Sequence, residues 1–385
     1  MKRILLIISV LIAVCFVLYF TGCRKNDGDN IIKIGIVMPM TGPNKQIGIE
    51  MRDSAHLIVE EWNTANKIKG YKIEILERDD ASDPKQALTN AKFVIGDNRV
   101  VGVLAHLNSG CLITAMPEYE KAGIAAIGPS ETNTEITKKG WKTVFRVCTT
   151  DNIQTSAIAS RMAREGHKKI SIVHDSTDYG LGLGEELKKY AEAKEIEVVN
   201  FIATRTEDKN YRTVLVEIKS KNPDAIFFGG VAENCGILVK QMREAGMQQV
   251  IYSPDGTKGP HYIELAGDAA EGAIVTMVGP KLEDLKEGSG AYFEAYKKKY
   301  GVEVQNYGPY AYDAVGIILT AIKNVVDRGE APTRSNVLEE VRKTKYAGVL
   351  GITEFDEFGD TKNKLITFYI VKNGEFVPLE TVQAE

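Results

Sequence analysis

The sequence predicts an α/β protein that is built from two doubly wound, Rossmann-like lobes with parallel sheets. Apolar, β-branched runs alternate with stretches of helical periodicity between residues 31 and 127, and the same alternation starts again at residue 169. Strands that alternate with helices in this way are typical of βαβ units, whose strands lie parallel. The chain of 385 residues is also longer than one hydrophobic core usually organises. Two domains are therefore expected.

The first series of elements opens with the β-branched run IIKIGIV at residues 31–37, which ends before the turn signal Thr41-Gly42-Pro43. Pro84 suits the first turn of a following helix, because the N–H that proline lacks has no partner there. We predict further strands at 71–77, 100–104 and 124–127, and helices at 48–65, 83–96 and 113–122.

The second series repeats this pattern. We predict strands at 169–173, 197–202, 225–228 and 249–251, helices at 183–194, 212–220 and 235–246, and a C-terminal part with helices at 292–300 and 310–328 and a strand at 366–371. The chain is expected to cross between the lobes near residues 147–151, 276–279 and 351–355. Lobe 1 would then comprise residues 32–148 plus 278–351, and lobe 2 residues 149–277 plus 352–385. Three crossings form a hinge that permits closure around a ligand.

The N-terminus has the composition of a secretory signal. A short basic start is followed by an apolar run to residue 20 and by the small residues before Cys23. An uncleaved membrane helix is the alternative, because the run is about as long as the shortest membrane spans. The sequence FTGC at 20–23 resembles the bacterial lipobox, whose cysteine is acylated. We therefore predict a lipoprotein signal peptide at 1–22, a lipid anchor at Cys23 and a polar, flexible tether at 23–31.

Charge and composition argue against several classes of protein. The net charge is −4 and no run of more than three lysine or arginine residues occurs, so that nucleic acid is not an expected partner. The five histidines form no metal-ligand spacing, and no GxxxxGK[ST], HExxH or GxSxG motif is present. The glycine run at 180–184 lies too far beyond its strand for a dinucleotide loop. Neither an enzyme nor a cofactor or metal is therefore expected.

Eight segments match one family in order and spacing. They are GIVMPMTGPNKQIG, RDDASDPKQALTNAKFVI, LNSG, AAIGPSETN, SIVHDSTDYGLG, FFGG, YSPDG and YGPYAYDAVG. Together they resemble the periplasmic leucine/isoleucine/valine-binding proteins, the type I solute-binding proteins of branched-chain amino acid ABC transporters. The resemblance covers residues 32–376 and implies the type I periplasmic binding fold, with a ligand held between the lobes.

Two loops of lobe 1 carry candidate ligand residues. Ser109 precedes a helix, where a serine is most often a plain N-cap, although free amides and a hydroxyl at a helix start also suit a carboxylate. The resemblance implies that Ser109 binds the ligand carboxylate. It also implies that Ser130 contacts the ammonium and that Thr132 contacts both ends of the ligand. Glu131 departs from the small residue that is usual there. Its side chain would favour a cationic ligand if it pointed into the site.

Lobe 2 carries two further candidates. Asp255 lies in a Pro-Asp-Gly segment, which by itself suggests an exposed turn residue. The resemblance implies instead that Asp255 pairs with the ligand ammonium, at a place where most relatives have glutamate. It also implies that Tyr179 closes over the ligand, for which a flat face and a hydroxyl are well suited.

Three residues are implied to line the slot for the ligand side chain, namely Ile47, Val231 and Tyr307. Ile47 and Val231 stand where the leucine-binding relative has aromatic residues, and the resulting room favours a side chain larger than valine. The disulfide of that relative is absent here, because Ser82 and Asn108 stand at the positions of its two cysteines. The remaining cysteines are expected to be buried free thiols, and these are Cys111, Cys148 and Cys235.

The expected function is that of a monomeric, exported and lipid-anchored receptor for an amino acid, branched-chain or larger apolar. It would deliver the ligand to the permease subunits of an ABC transporter, at the periplasm or the outer face of the cytoplasmic membrane. A lipid-tethered sensor that reports to a membrane signalling receptor is the alternative, since it would use the same fold and closure. An exported hydrolase is a third possibility, which would show turnover of the ligand.

Overall fold

The computed structural model describes residues 30–383, so that the predicted signal peptide, Cys23 and nearly all of the tether lie outside the described residues. The strands are β1 Ile31–Met38, β2 Lys72–Asp79, β3 Val100–Ala105, β4 Ala125–Gly128, β5 Val144–Arg146, β6 Lys169–His174, β7 Glu197–Ala203, β8 Ala225–Gly229, β9 Val250–Ser253, β10 Ile274–Val278, β11 Lys345–Gly348, β12 Gly351–Glu354, β13 Leu365–Lys372 and β14 Glu375–Gln383.

The helices cover the faces of the sheets. They are α1 Lys45–Thr64, α2 Pro84–Gly96, α3 Ser109–Ala122, α4 Glu135–Lys138, α5 Asp151–Arg164, α6 Asp178–Glu192, α7 Arg212–Lys221, α8 Ala232–Glu244, α9 Pro260–Ala266, α10 Leu282–Gly288, α11 Gly290–Tyr300, α12 Gly308–Asp327 and α13 Arg334–Arg342. No helix among residues 30–383 is long and apolar enough to cross a membrane.

The first sheet is entirely parallel, in the order β2-β1-β3-β4-β5. Its central strands are buried on both faces, as their continuous apolar sequences require. Helix α2 begins as predicted, with Pro84 in its first turn. The Asp83 side chain caps it by accepting hydrogen bonds from the N–H groups of Lys85 and Gln86, each at 2.8 Å.

The second sheet is mixed, in the order β14-β13-β10-β9-β8-β6-β7. Strands β6 to β10 lie parallel, whereas β13 is antiparallel to β10 and β14 is antiparallel to β13. The predicted parallel arrangement thus holds for β6 to β10, and two antiparallel strands extend the sheet at this edge. The reason is local: β13 and β14 are joined by the tight turn at Asn373 and Gly374, both with positive φ, and a short turn can only join antiparallel strands.

The chain passes between the two sheets three times, after β5, after β10 and in the segment between α13 and β13. Helices α12 and α13 return to the first sheet, where α12 packs on α1 and β3, and α13 packs on β3 and β4. The last passage includes the small hairpin β11–β12. These passages leave the carboxyl ends of the parallel strands of both sheets facing a shared cleft.

Candidate functional site

Seven of the eight predicted ligand residues line one cavity of about 40 Å³ between the two lobes. Six of them belong to loops or helix starts that follow a strand, where ligands bind in open parallel sheets, and Tyr307 directly precedes α12. The seven are Ile47, Ser109, Ser130, Tyr179, Val231, Asp255 and Tyr307, and the lining is completed by Asn44, Leu107, Asn108 and Gly256. Thr132 is the exception, because it is buried beneath the Ser130 loop and does not line the cavity.

The serine positions belong to two adjacent loops of the first sheet. Asn108 is the N-cap of α3 and Ser109 is its first residue, so that the interpretation of Ser109 as a plain N-cap is wrong. The Ser109 side chain is buried against the cavity, next to the free amides of the helix start. Ser130 follows β4, and its hydroxyl donates to the carbonyl of Leu107 at 3.2 Å. The two loops therefore both present hydroxyl and amide groups to the cavity.

Asp255 is a buried acid, and the interpretation as an exposed turn residue is wrong. Its side chain is 3% exposed. Gln154 donates to Oδ1 at 2.7 Å, the Tyr179 hydroxyl donates to Oδ1 at 3.0 Å, and the Tyr307 hydroxyl donates to Oδ2. Burial raises the pKa of Asp255, and the three donors oppose this rise by stabilising the ionised form.

Gln154 is a member of this site that the sequence analysis missed. It lies on α5, and its side-chain oxygen accepts from the N–H of Asp255 at 3.0 Å and from the Thr276 hydroxyl at 2.6 Å. Gln154 thus holds both the backbone and the carboxylate of Asp255. The sequence carries no signal for Gln154, because α5 lacks the apolar periodicity that would predict a helix there.

Tyr307 makes a contact that the sequence did not predict. Although it lines the cavity, its hydroxyl bonds to Asp255. Tyr307 immediately precedes α12, which packs on the first sheet, whereas Asp255 follows β9 of the second sheet. The bond therefore connects the two lobes across the cleft. A second connection is made by the Asn133 side chain, which donates to the carbonyl of Asp178 at 2.5 Å.

Glu131 points away from the cavity. Its carboxylate is fully buried and accepts from the N–H of Ser130 at 3.1 Å and from the N–H of His106. These two amides belong to the loops after β4 and β3, so that Glu131 ties the two serine loops together. Burial raises the pKa of Glu131, opposed by His106 and by the amide donors. The structure therefore gives no support to a cationic ligand that pairs with Glu131.

The His106 ring lies in a buried polar network below the site. Its Nδ1 is 2.7 Å from Asp80 and its Nε2 is 3.1 Å from the Tyr119 hydroxyl. All three side chains are fully buried. The network braces the loop that precedes Ser109, and the sequence analysis did not identify it.

A second cavity of about 110 Å³ continues from the first one. The two share Asn44, Ile47, Val231 and Gly256. Ile47 and Val231 thus border both cavities. The far end includes Lys258, and its Nζ is 3.1 Å from the Asn306 side-chain oxygen. Burial lowers the pKa of Lys258 to about 8.

Three cysteines are free and buried, as expected, within the part of the chain that the structure describes: Cys111, Cys148 and Cys235. Burial raises the pKa of each thiol, in the case of Cys235 to about 12. Thiols in this state are unreactive. Ser82 and Asn108 make no covalent link, and Ser82 instead accepts a hydrogen bond from Asn44 at 3.2 Å.

The arrangement suits capture of a zwitterion. Hydroxyls and free helix-start amides on one lobe can bind a carboxylate, and a buried acid on the other lobe can pair with an ammonium. Residues 30–383 contain no group of acidic, histidine or cysteine side chains that could hold a metal ion.

Known proteins resemble this chain over most of its length. A family profile described as periplasmic binding protein matches residues 31–375. A leucine-, isoleucine-, valine-, threonine- and alanine-binding protein of Pseudomonas aeruginosa is 33% identical over 340 residues, which cover 88% of this chain and 89% of that protein. The leucine-specific-binding protein of Salmonella typhimurium is 30% identical and covers 86% and 88% of the two chains.

Solved structures agree with the sequence matches. A leucine-binding protein from Thermotoga maritima is 28% identical with a TM-score of 0.83, over 91% of this chain and 99% of that one. A branched-chain amino acid transporter substrate-binding protein from Streptococcus pneumoniae, solved with isoleucine, is 26% identical with a TM-score of 0.83, over 92% and 100%. The predicted fold, two α/β lobes joined by three crossings, is thereby confirmed. The chain belongs to the periplasmic binding protein family, and its fold is the type I fold of that family.

Proposed function

We propose that this protein is the solute-binding component of an ABC transporter and that it captures an amino acid by closure of two lobes. The observation that carries the proposal is the split site: serine hydroxyls and amides on lobe 1 face the buried carboxylate of Asp255 on lobe 2 across one cavity. An amino acid has a group for each side. The names of the relatives, which include leucine-, isoleucine- and valine-binding proteins, support the same assignment.

We assign the roles within the site as follows. On lobe 1, Ser109 binds the ligand carboxylate and Ser130 contacts the ammonium. On lobe 2, Asp255 pairs with the ammonium and Tyr179 covers the ligand. Thr132 acts from beneath the Ser130 loop. The side chain of the ligand points between Ile47 and Val231 towards the second cavity, which favours a branched-chain or larger apolar amino acid. Residues 32–148 plus 278–351 form one lobe, and residues 149–277 plus 352–385 form the other.

The remaining assignments follow from the family and from the N-terminal sequence. The protein is exported, is anchored by an acyl chain at Cys23, acts as a monomer and passes its ligand to the permease subunits without changing it. Relatives with this fold are binding proteins, which supports a role without catalysis.

A thermal-shift screen of the mature protein against the twenty amino acids tests the assignment. A ligand at 100 times its dissociation constant adds about 2.7 kcal/mol of stability, which is readily detected. We expect the largest shift from an apolar amino acid. Recovery of that amino acid unchanged after incubation agrees with a receptor, whereas recovery of a hydrolysed or modified product contradicts it. The absence of a shift with every amino acid would overturn the proposal.

A further inference from the structure

Asp151 is a buried acid without a partner. It is the first residue of α5, directly after the first crossing between the lobes, and its side chain is fully buried. Neither of its carboxylate oxygens accepts a hydrogen bond from any residue in the described range 30–383. A buried carboxylate without donors is costly, so that such a group is expected to have a counterpart at some stage of the protein's cycle.

A polar neighbour of Asp151 is Thr132, the predicted ligand residue beneath the cavity. The N–H of Asp151 donates to the carbonyl of Thr132 at 2.8 Å. The Thr132 hydroxyl is also buried and has no hydrogen-bond partner among the described residues. Two unpartnered polar side chains therefore lie side by side below the ammonium-binding loop.

The charged groups around Asp151 do not neutralise it. Arg146 is close, but its guanidinium is occupied by Asp360, by the Thr137 hydroxyl and by the carbonyls of Glu131 and Asn133. Glu186 on α6 adds a negative charge near Asp151, which raises the pKa of Asp151 further.

Asp255 faces Asp151 from the loop after β9 and adds a second negative charge, and Gln154 ties Asp255 to α5, the helix on which Asp151 lies. Both acids also lie close to the Tyr179 hydroxyl, which is neutral. Neither Asp151 nor Asp255 forms a salt bridge with any described side chain.

We propose that Asp151 is a second anion for the ammonium group of the ligand, acting together with Asp255 and through the Thr132 hydroxyl. The inference rests on the proposed function and deepens it. If Thr132 donates its hydrogen to Asp151, its lone pair is free to accept from the ammonium, so that Asp151 fixes Thr132 as an acceptor. The ammonium then places one positive charge beside two acids that form no salt bridge with any described side chain.

Proton release follows from this arrangement. Burial raises the pKa of Asp151 well above its usual value, Asp255 and Glu186 add to this rise, and Thr132 and Arg146 oppose it. Both acids are therefore more readily protonated in the free protein than exposed carboxyl groups at the same pH, and a bound ammonium favours their ionised forms. Binding must then release protons, and the affinity must fall as the pH drops through the pKa values of the free protein.

The test compares wild type with Asp151→Asn, using the amino acid that gives the largest shift in the screen above. Calorimetry in two buffers of different ionisation enthalpy measures both the affinity and the number of protons released. We expect the variant to bind at least about 30-fold more weakly and to release fewer protons. The free variant should be no less stable than wild type, because asparagine replaces a buried acid that accepts no hydrogen bond with a neutral side chain of the same size.

A purely structural Asp151 predicts the opposite pattern. The variant would then lose stability, while its proton release would equal that of wild type, and this result overturns the inference. Proton release by wild type alone is a second measurement that does not depend on folding of the variant, and its absence also overturns the inference. Asn152→Ala, at a half-buried neighbour on α5, serves as the control and should leave both quantities unchanged.

The inference and the proposed function fail in different ways. If wild type binds an amino acid and Asp151→Asn binds it equally well, only the role of Asp151 is wrong. If wild type binds no amino acid, the proposed function is wrong and the inference falls with it.

Discussion

The Asp255 carboxylate receives three neutral donors and no cation among the described residues. Gln154, Tyr179 and Tyr307 orient it and keep it close to ionisation, but none of them cancels its charge. A ligand ammonium would supply the missing counter-charge. The same residues explain why the Pro-Asp-Gly motif wrongly suggested that Asp255 is exposed. The motif does form a turn, but α5 of the same lobe and Tyr307 of the other lobe bury its aspartate.

Asp255→Asn tests this pairing while keeping an acceptor for the surrounding donors. Truncating one member of a buried charged pair typically costs about 2–5 kcal/mol, or roughly 30-fold or more in affinity. We expect a loss of this size for the amino acid and a much smaller loss for its deaminated analogue. Calorimetry on both proteins with both ligands completes the double-mutant cycle. Equal losses for the two ligands would show that Asp255 does not contact the ammonium.

At the scale of elements, the sequence predicted the strands that are rich in β-branched residues and the helices with clear apolar periodicity. It missed α5, whose sequence DNIQTSAIASRMAR is rich in small and polar residues. Several of these, including Gln154 and Thr155, are buried because α5 packs against α6 and the site. A helix that buries polar residues lacks the apolar stripe on which prediction depends. Asp151 and Gln154 were missed for the same reason.

The two serine loops behave as one unit because Glu131 joins them. Resemblance alone left its orientation open, since a glutamate there could point into the cleft or below it. In the structure the Glu131 side chain points below the cleft. Gly128 allows the carboxylate to lie this close to the backbone, because a Cβ at Gly128 would lie 2.7 Å from the Glu131 carboxylate. The choice depends on tertiary packing and could not be predicted from local sequence.

Glu131→Gln should weaken this junction. Glutamine offers one acceptor for two amides and places an NH₂ group against the other, so that one buried N–H is left unpaired at a cost of about 1–3 kcal/mol. We expect lower stability in denaturant unfolding and weaker amino acid binding. Glu135→Gln is the control, since its exposed pair with Lys138 contributes little. Unchanged stability and affinity in Glu131→Gln would mean that the loops are held together by other contacts.

At the scale of the whole molecule, the proposed lipid anchor at Cys23 would hold the protein at a membrane. Cys23→Ala should remove the acyl anchor, because the lipobox offers no other thiol to the modifying enzyme. Metabolic labelling with a palmitate analogue and membrane fractionation measure the result in cells. We expect unlabelled, released protein from the variant, with Cys235→Ala fully labelled as a control. Equal labelling of Cys23→Ala and wild type would contradict a lipid anchor at this residue.

Closure of the lobes is the property on which the proposed function depends most. Ser109 and Ser130 belong to one lobe and Asp255 to the other, so that the site is complete only when the cleft is shut. Bonds between neutral groups, such as that from Asn133 to the Asp178 carbonyl, contribute only about 0.5–1.5 kcal/mol each. They are too weak to exclude an open population, and a ligand that bridges the lobes shifts the equilibrium towards closure.

Small-angle scattering measures this shift directly. We expect the radius of gyration of wild type to decrease when the amino acid from the screen is added to saturation. Asp255→Asn at the same ligand concentration is the control, and its radius should stay near that of the free protein because the ligand no longer bridges the lobes. A wild-type radius that does not change at saturation, with binding verified by calorimetry in the same sample, would show that the ligand binds without closing the hinge.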